Sequence, residues 1–193
     1  MLRQTMAKDD KRERILDAAL ALFAERGFHG TAVPLVAKAA EVGAGTIYRY
    51  FESKERLVNE LYRREKQRVV EHVLRALPTA DSPRAQFHSF FRSIIGFALE
   101  NRASFTFLEH HHHAPYMDTE SRALEERTVM LALSFLAETA RQRITKPVAP
   151  EVLMAVVWGA IVRLLKETWD GHVSLDEATL DQAEDVLWEA VRL

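Results

Sequence analysis

Residues 31–58 read TAVPLVAKAAEVGAGTIYRYFESKERLV. Thr31 is placed to cap a short helix from Ala32 to Ala40, its hydroxyl meeting the first free amides. Pro34 falls in the first turn of that helix, where a missing N–H costs little. EVGAG, residues 41–45, is turn chemistry with two glycines. A second helix over Thr46–Phe51 follows, barely two turns long. Ser53 then caps a long third helix, although its capping box is incomplete: Arg56 stands three residues on, and the nearest acid, Glu55, only two. A two-turn helix has no substantial core of its own, so its polar aromatics need another explanation. Ile47 and Phe51 are four apart and share the face that can pack on the neighbouring helices. Thr46, Tyr48, Arg49 and Tyr50 must then point mostly outward. Hydroxyls and a guanidinium on a projecting helix suit base edges and phosphate oxygens in a major groove. Lys54, in the first turn of the next helix, joins free amides that favour an anion.

Working outward, the preceding helix runs from about Lys11 to Arg26, with Ile15, Leu16, Ala19, Leu20 and Phe23 on one apolar face and Gly27 as its stop. The helix after Ser53 carries Leu57, Val58, Leu61, Tyr62, Val69, Val70 and Val73 and ends before Pro78. Two short helices joined by a glycine-containing turn and flanked by longer ones make a helix-turn-helix. With those residues in place, 31–58 resembles the DNA-binding signature of TetR-family transcriptional regulators. The resemblance covers about the first sixty residues strongly and the rest as a matching series of helices. It implies that Thr31 contacts phosphate, that Ala44, Thr46, Tyr48 and Arg49 face the groove, and that Tyr50 and Lys54 lie on backbone phosphates. Two positions depart from the family pattern: Glu41 stands where a turn glycine is usual, and Gly43 where a serine often caps the recognition helix.

The segment PTADSP, residues 78–83, is the best internal boundary. Beyond it the pattern gives five helices, near 84–100, 103–112, 118–143, 150–169 and 176–192. There is no repeat and no alternating strand pattern. The fold expected is all-α, with a helix-turn-helix DNA-binding domain over 1–56, a connecting helix to about 77, and a helical effector-binding and dimerisation domain over 57–193. The resemblance implies a small-molecule pocket in that second domain. Phe87, Phe91, Phe107, His110, His113 and Trp158 are the candidate lining residues. Aromatics at this spacing also suit a plain core.

Helix 150–169 is apolar nearly all round. Met154, Trp158, Ile161 and Leu165 form one stripe, and Leu153, Val157, Ala160 and Leu164 another, so one face covers its own domain and the other needs a partner. Gly159 permits close approach there. The last helix offers Leu180, Ala183, Leu187 and Ala190 as a matching face. The resemblance implies a homodimer through these two helices, responding to a small-molecule effector on a near-palindromic double-stranded DNA operator, most simply as a repressor.

The composition fits this reading. Gly 7 and Pro 6 in 193 residues favour helices with short turns. The absence of cysteine excludes a disulfide scaffold and thiolate metal sites and suits a reducing cytoplasm. The net charge of −2 divides unevenly: Met1–Lys66 holds 13 Lys/Arg against 10 Asp/Glu, and the remainder 13 against 18. A basic front and an acidic back suit an anionic partner at one end. The uncharged run VLMAVVWGAIV, residues 152–162, is well short of the about 18 residues of a membrane span. The first residues have no apolar segment of the export type, so no export and no membrane partner are expected.

No cofactor and no catalytic residue are expected. A rival reading is a helical metal-binding enzyme or hydrolase centred on Glu109–His113, in EHHHHAPY. Adjacent helical residues diverge by about 100°, so only His110 and His113, or Glu109 and His113, can share a face, too few to complete a zinc site. No HExxH, nucleophile motif or phosphate loop supports it.

Overall fold

The computed structural model describes residues 2–77, 82–112 and 114–193, with residues 2–9 as backbone alone. Among these there are nine helices: α1 (Leu2–Gly30), α2 (Val33–Ala39), α3 (Ala44–Tyr50), α4 (Lys54–Ala76), α5 (Pro83–Glu100), α6 (Arg102–His111), α7 (Thr119–Arg141), α8 (Pro150–Trp169) and α9 (Glu177–Val191). The described residues hold no strand, only an isolated bridge between Thr145 and Arg192. The fold is all-α, as expected. Of the boundary segment 78–83, residues 78–81 lie outside the described residues, as does His113. No helix among the described residues is long and apolar enough to cross a membrane.

The helices gather into two compact units. One consists of Met1–Arg68 together with Asn101–Glu125, the other of Val69–Glu100 together with Glu126–Leu193. The α6 segment therefore packs on α1 in the first unit, although it follows α5 in the chain. α4 and α7 each contribute to both units.

In the first unit, Ile15, Leu16, Ala19 and Phe23 of α1 are fully buried, and so are Leu57, Val58, Leu61 and Tyr62 of α4. Val36 and Ala37 of α2, Ile47 of α3, Phe51 and the α6 residues Phe105 and Phe107 complete the core. Burying each of the larger aliphatic and phenylalanine side chains among these stabilises the unit by about 1.5–3 kcal/mol. Gly27 ends α1 proper: its φ of +66° breaks the helix, and a last turn runs on to Gly30. Phe23 and Phe107, 6.3 Å apart between centroids, join α1 to α6.

A polar seam ties α4 to the chain after α6. Buried Asn59 donates to the carbonyls of Glu55 (2.8 Å) and Tyr116 (2.9 Å) and accepts from the Asp118 amide at 2.8 Å. Arg63 grips Asp118 and the Ser121 hydroxyl at 3.0 Å. Tyr62 donates to Glu125 at 2.6 Å, and Lys66 pairs with the same carboxylate. Burial would raise the pKa of both acids. For Asp118 the Ser121 amide and hydroxyl and Arg63 outweigh burial, and for Glu125 Lys66 and the Tyr62 hydroxyl do so, leaving both below their ordinary values.

In the second unit, α5 buries Phe87, Phe91, Ile94, Ile95, Phe97 and Ala98, and α8 buries Leu153, Val157, Ile161 and Leu165. Buried Glu184 on α9 accepts from Arg84 and His88 on α5, and Arg92 on α5 donates to Glu177 and Asp181 of α9, fixing those two helices together. One expectation for α9 is corrected. Leu180 and Leu187 face inward with Val191 and Glu184, so they are core and not the face left over for a partner. Helical spacing shows that residues share a face, not which way that face looks. On α8 and α9 the large apolar residues left exposed are Val152, Val156 and Val186, and Met130 and Leu131 on α7 are exposed as well.

Candidate nucleic-acid interface

α2 and α3 form the helix-turn-helix, and its construction differs locally from the simplest reading. Ala32, not Thr31, is the N-cap of α2, and no side chain caps it. Thr31 is fully buried, and its hydroxyl donates backward to the carbonyls of Gly27 (2.9 Å) and Leu22 (3.1 Å). A threonine hydroxyl serves α1 here because the Gly27 carbonyl stands at the break and the Thr31 amide turns to Phe28 instead. Its side chain is thus turned away from any phosphate. Pro34 stands at the start of α2, as expected.

The turn is held from α1. Arg14 donates to the Ala40 carbonyl at 2.7 Å and approaches the Glu41 carboxylate at 3.5 Å. Glu41 takes the left-handed conformation, φ 54°, that a glycine would adopt without cost. Gly43 is the backbone N-cap of α3, its carbonyl accepting from Thr46 N at 2.8 Å.

α3 has the two-sided character read from the sequence. Ile47 and Phe51 are buried. Ala44, Tyr48 and Arg49 are exposed, Tyr48 by 55%, while Thr46 and Tyr50 are half-buried. Lys38 at the end of α2 is exposed as well.

Ser53 caps α4, its hydroxyl accepting from the Arg56 amide at 3.2 Å. Lys54 is engaged inside the protein. Its ammonium donates to the carbonyls of Phe28 (2.9 Å) and Thr31 (3.1 Å) and lies 4.0 Å from the centroid of the Phe28 ring. Two of its three protons are committed to backbone, and the expected role on phosphate gives way to one of holding the α1–α2 junction.

The candidate effector residues are divided between the two units. Phe107 and His110 belong to the first unit, and Phe87, Phe91 and Trp158 to the second. Phe107 is core against Phe23, Tyr62 and His111. His110 is exposed and lines a recess of about 450 Å³ with Gly27, Phe28, His29, His111 and Tyr116 among its walls. In the second unit Ser93, buried on α5, has a hydroxyl with no partner.

In the segment 109–116, the pairing of His111 with Tyr116 escaped the sequence reading. His111 is buried and its Nδ1 meets the Tyr116 hydroxyl, while the Tyr116 ring stacks on Phe28 at 3.9 Å. Burial, then the neighbouring His110, lowers the His111 pKa to about 4, and burial pushes Tyr116 up to about 12. Only the helical phase could have found this: His111 falls four residues after Phe107, on the α6 core face. Among the described residues no three His, Cys, Asp or Glu side chains converge as a metal site.

Comparison with known proteins agrees with this geometry. The family model described as bacterial regulatory proteins, tetR family, matches residues 15–61, and that described as tetracyclin repressor-like, C-terminal domain, matches 62–193. The chain belongs to the TetR family of transcriptional regulators, and is a DNA-binding regulator and not an enzyme. The rival enzyme reading falls with that assignment. The chain is 25% identical over 177 residues to the HTH-type transcriptional regulator YhgD of Bacillus subtilis, covering 89% of this chain and 91% of that protein. It is 44% identical over 59 residues to the HTH-type transcriptional repressor KstR2 of Rhodococcus jostii, a match confined to 31% of this chain and 29% of that one. A TetR family regulator from Marinobacter aquaeolei has a similar solved structure, with a TM-score of 0.83 at 26% identity, covering 100% of this chain and 99% of the other.

Proposed function

We propose that the chain is a ligand-responsive repressor that binds a near-palindromic DNA operator as a homodimer in the cytoplasm. The observation that carries the reading is the division of α3: Ile47 is buried on one side, and Ala44, Tyr48 and Arg49 are exposed on the other. A helix of this kind, held by its neighbours, leaves its outer residues for the major groove. Thr46 and Tyr50 flank that face, with Tyr50 toward the backbone phosphates.

Dimerisation is supported by the apolar residues that α8 and α9 leave uncovered. Val152 and Val156 are one turn apart and about half exposed, with Gly159 on the next turn, and Val186 on α9 is 67% exposed. A second copy offering the same residues would cover them. Two α3 helices would then enter successive major grooves, about 34–36 Å apart.

The effector response is supported by the two features of a small-molecule site described above. His110 lines an open recess, and Ser93, on the same helix α5 as Phe87 and Phe91, leaves a buried hydroxyl without a partner. An effector bound more tightly by a state unable to span both grooves would release the operator. Trp158 and Phe107 stand with these as contact candidates.

The test is selection of bound fragments from genomic DNA followed by gel shift. A shared near-palindrome, bound by a dimer and weakened steeply by salt, is expected. Fragments with no common half-site would contradict the operator reading.

A further inference from the structure

Beyond the residues that face DNA, we infer that Tyr116 is a positioning residue for DNA recognition, acting on the helix-turn-helix through Phe28 and Lys54. The inference rests on the reading of α3 as the DNA-reading helix. The Lys54 ammonium lies 4.0 Å from the Phe28 centroid and the Tyr116 ring centroid 3.9 Å from it, with the two rings within 22° of parallel. Two groups this close to one centroid cannot occupy the same face of the ring, so Phe28 is held between them.

Phe28 sits in the link between α1 and α2. Gly27 breaks the helix before it. The carbonyls of Phe28 and Thr31 are the two acceptors of Lys54, and the Thr31 hydroxyl fastens back to Gly27 and Leu22. Where this link stands decides where α2 begins, and α3 packs on α2. A shift of the Phe28 ring therefore moves the reading helix.

Tyr116 is itself gripped from three elements. Its carbonyl accepts from Asn59 on α4, and its hydroxyl meets His111 on α6. Arg122 on α7 donates to the carbonyls of its neighbours Pro115 (3.2 Å) and Met117 (2.8 Å). The ring is thus a fixed buttress: it touches no DNA, and it sets the seat against which Lys54 clamps the link. It also walls the recess that His110 lines, so whatever enters that recess meets the buttress directly.

The test uses the full chain, a duplex enriched by the wild-type protein from a random-sequence pool, and a scrambled duplex of equal length. Tyr116→Leu keeps apolar bulk but removes the aromatic plane; Tyr116→Phe keeps the plane. Tyr116→Leu is expected to bind the enriched duplex about tenfold more weakly, the size of a lost base contact. It should bind the scrambled duplex like the wild type and exchange the amides of Leu35, Val36 and Ala40 faster. Tyr116→Phe is expected to stay within about threefold, since it loses one hydrogen bond.

Unchanged specific binding with unchanged exchange overturns the inference, as does an equal loss on both duplexes. If the wild type enriches no duplex, sequence-specific binding itself has failed, and the exchange comparison still decides whether Tyr116 sets α2. Should Tyr116→Leu lose its helical circular dichroism, Phe28→Leu takes its place, removing the ring that Lys54 and Tyr116 hold between them. A loss of about tenfold on the enriched duplex alone is then expected, and no loss contradicts the inference.

Discussion

Lys54 and Phe28 are joined twice: the ammonium lies 4.0 Å from the Phe28 ring centroid and donates 2.9 Å to the carbonyl of the same residue. With the bond to Thr31, these contacts fix the first turn of α4 to the end of α1. Lys54→Ala removes charge-assisted bonds to two carbonyls and a cation–π contact. Allowing for the half-exposed position of the side chain, the expected destabilisation is about 2 kcal/mol. Operator binding falls with it because the α2 start loosens. Urea unfolding checks the first and gel shift the second; full stability with lost binding would return Lys54 to a phosphate role.

Glu41 invites the opposite change. A non-glycine residue in the left-handed region costs about 1 kcal/mol, part of which glycine gives back through its greater freedom in the unfolded chain. Its exposed pairing with Arg14 at 3.5 Å is worth little. Glu41→Gly is expected to raise stability by about 0.5 kcal/mol in denaturant titration. It should also tighten DNA binding at low salt by removing a negative charge from the turn ahead of α3.

His111 gives the stability a pH dependence of definite sign. Its folded pKa, about 4, lies below the unfolded value near 6.5, so the folded state resists protonation. The penalty is absent above about pH 6.5, grows as pH falls and is complete near pH 4, at up to about 3 kcal/mol. Asp118 and Glu125, held below their ordinary values, lose their contribution only at lower pH, where they protonate. His110 and the Tyr116 hydroxyl are the titratable groups beside the ring, and Tyr116 stays neutral throughout. Urea midpoints between pH 7 and pH 4.5 should fall more steeply for the wild type than for His111→Phe. Parallel declines would contradict the assignment.

Val156 and Val186 test the dimer. Both are exposed in the single chain, so Val156→Asp or Val186→Asp should change the stability of the isolated fold by no more than about 0.5 kcal/mol. Across a two-fold interface each would bury an unpaired carboxylate twice. Sedimentation is expected to give twice the 22.1 kDa chain for the wild type and a single chain for the variants. A dimer indifferent to both substitutions places the interface elsewhere.

Most of the fold was legible because its signals are local. Gly27, Pro34, Gly43 and Ser53 each mark a helix end that the structure has at or next to that position. The two faces of α3 followed from Ile47 and Phe51 standing four apart. What the sequence left hidden depends on direction in space. The Thr31 hydroxyl could cap forward or bond backward, and the break at Gly27 made the Gly27 carbonyl available. Leu180 and Leu187 share a face whichever way α9 turns. Lys54 looked like a phosphate ligand because nothing in its neighbourhood along the chain announces Phe28, 26 residues earlier. The pairing of α6 with the first unit, and with it the His111–Tyr116 bond, arises from contacts between segments far apart in the chain.

The most direct test of the account is fluorescence anisotropy on the enriched duplex for the wild type, Tyr48→Ala and Arg49→Ala. Both residues are exposed on α3, so both variants should fold as the wild type does, with unfolding free energies within about 0.5 kcal/mol. Tyr48→Ala is expected to lose about 1–3 kcal/mol of specific binding, and Arg49→Ala to lose affinity with a shallower salt dependence if it meets phosphate. Wild-type affinity in both variants would contradict the claim that this face of α3 reads DNA.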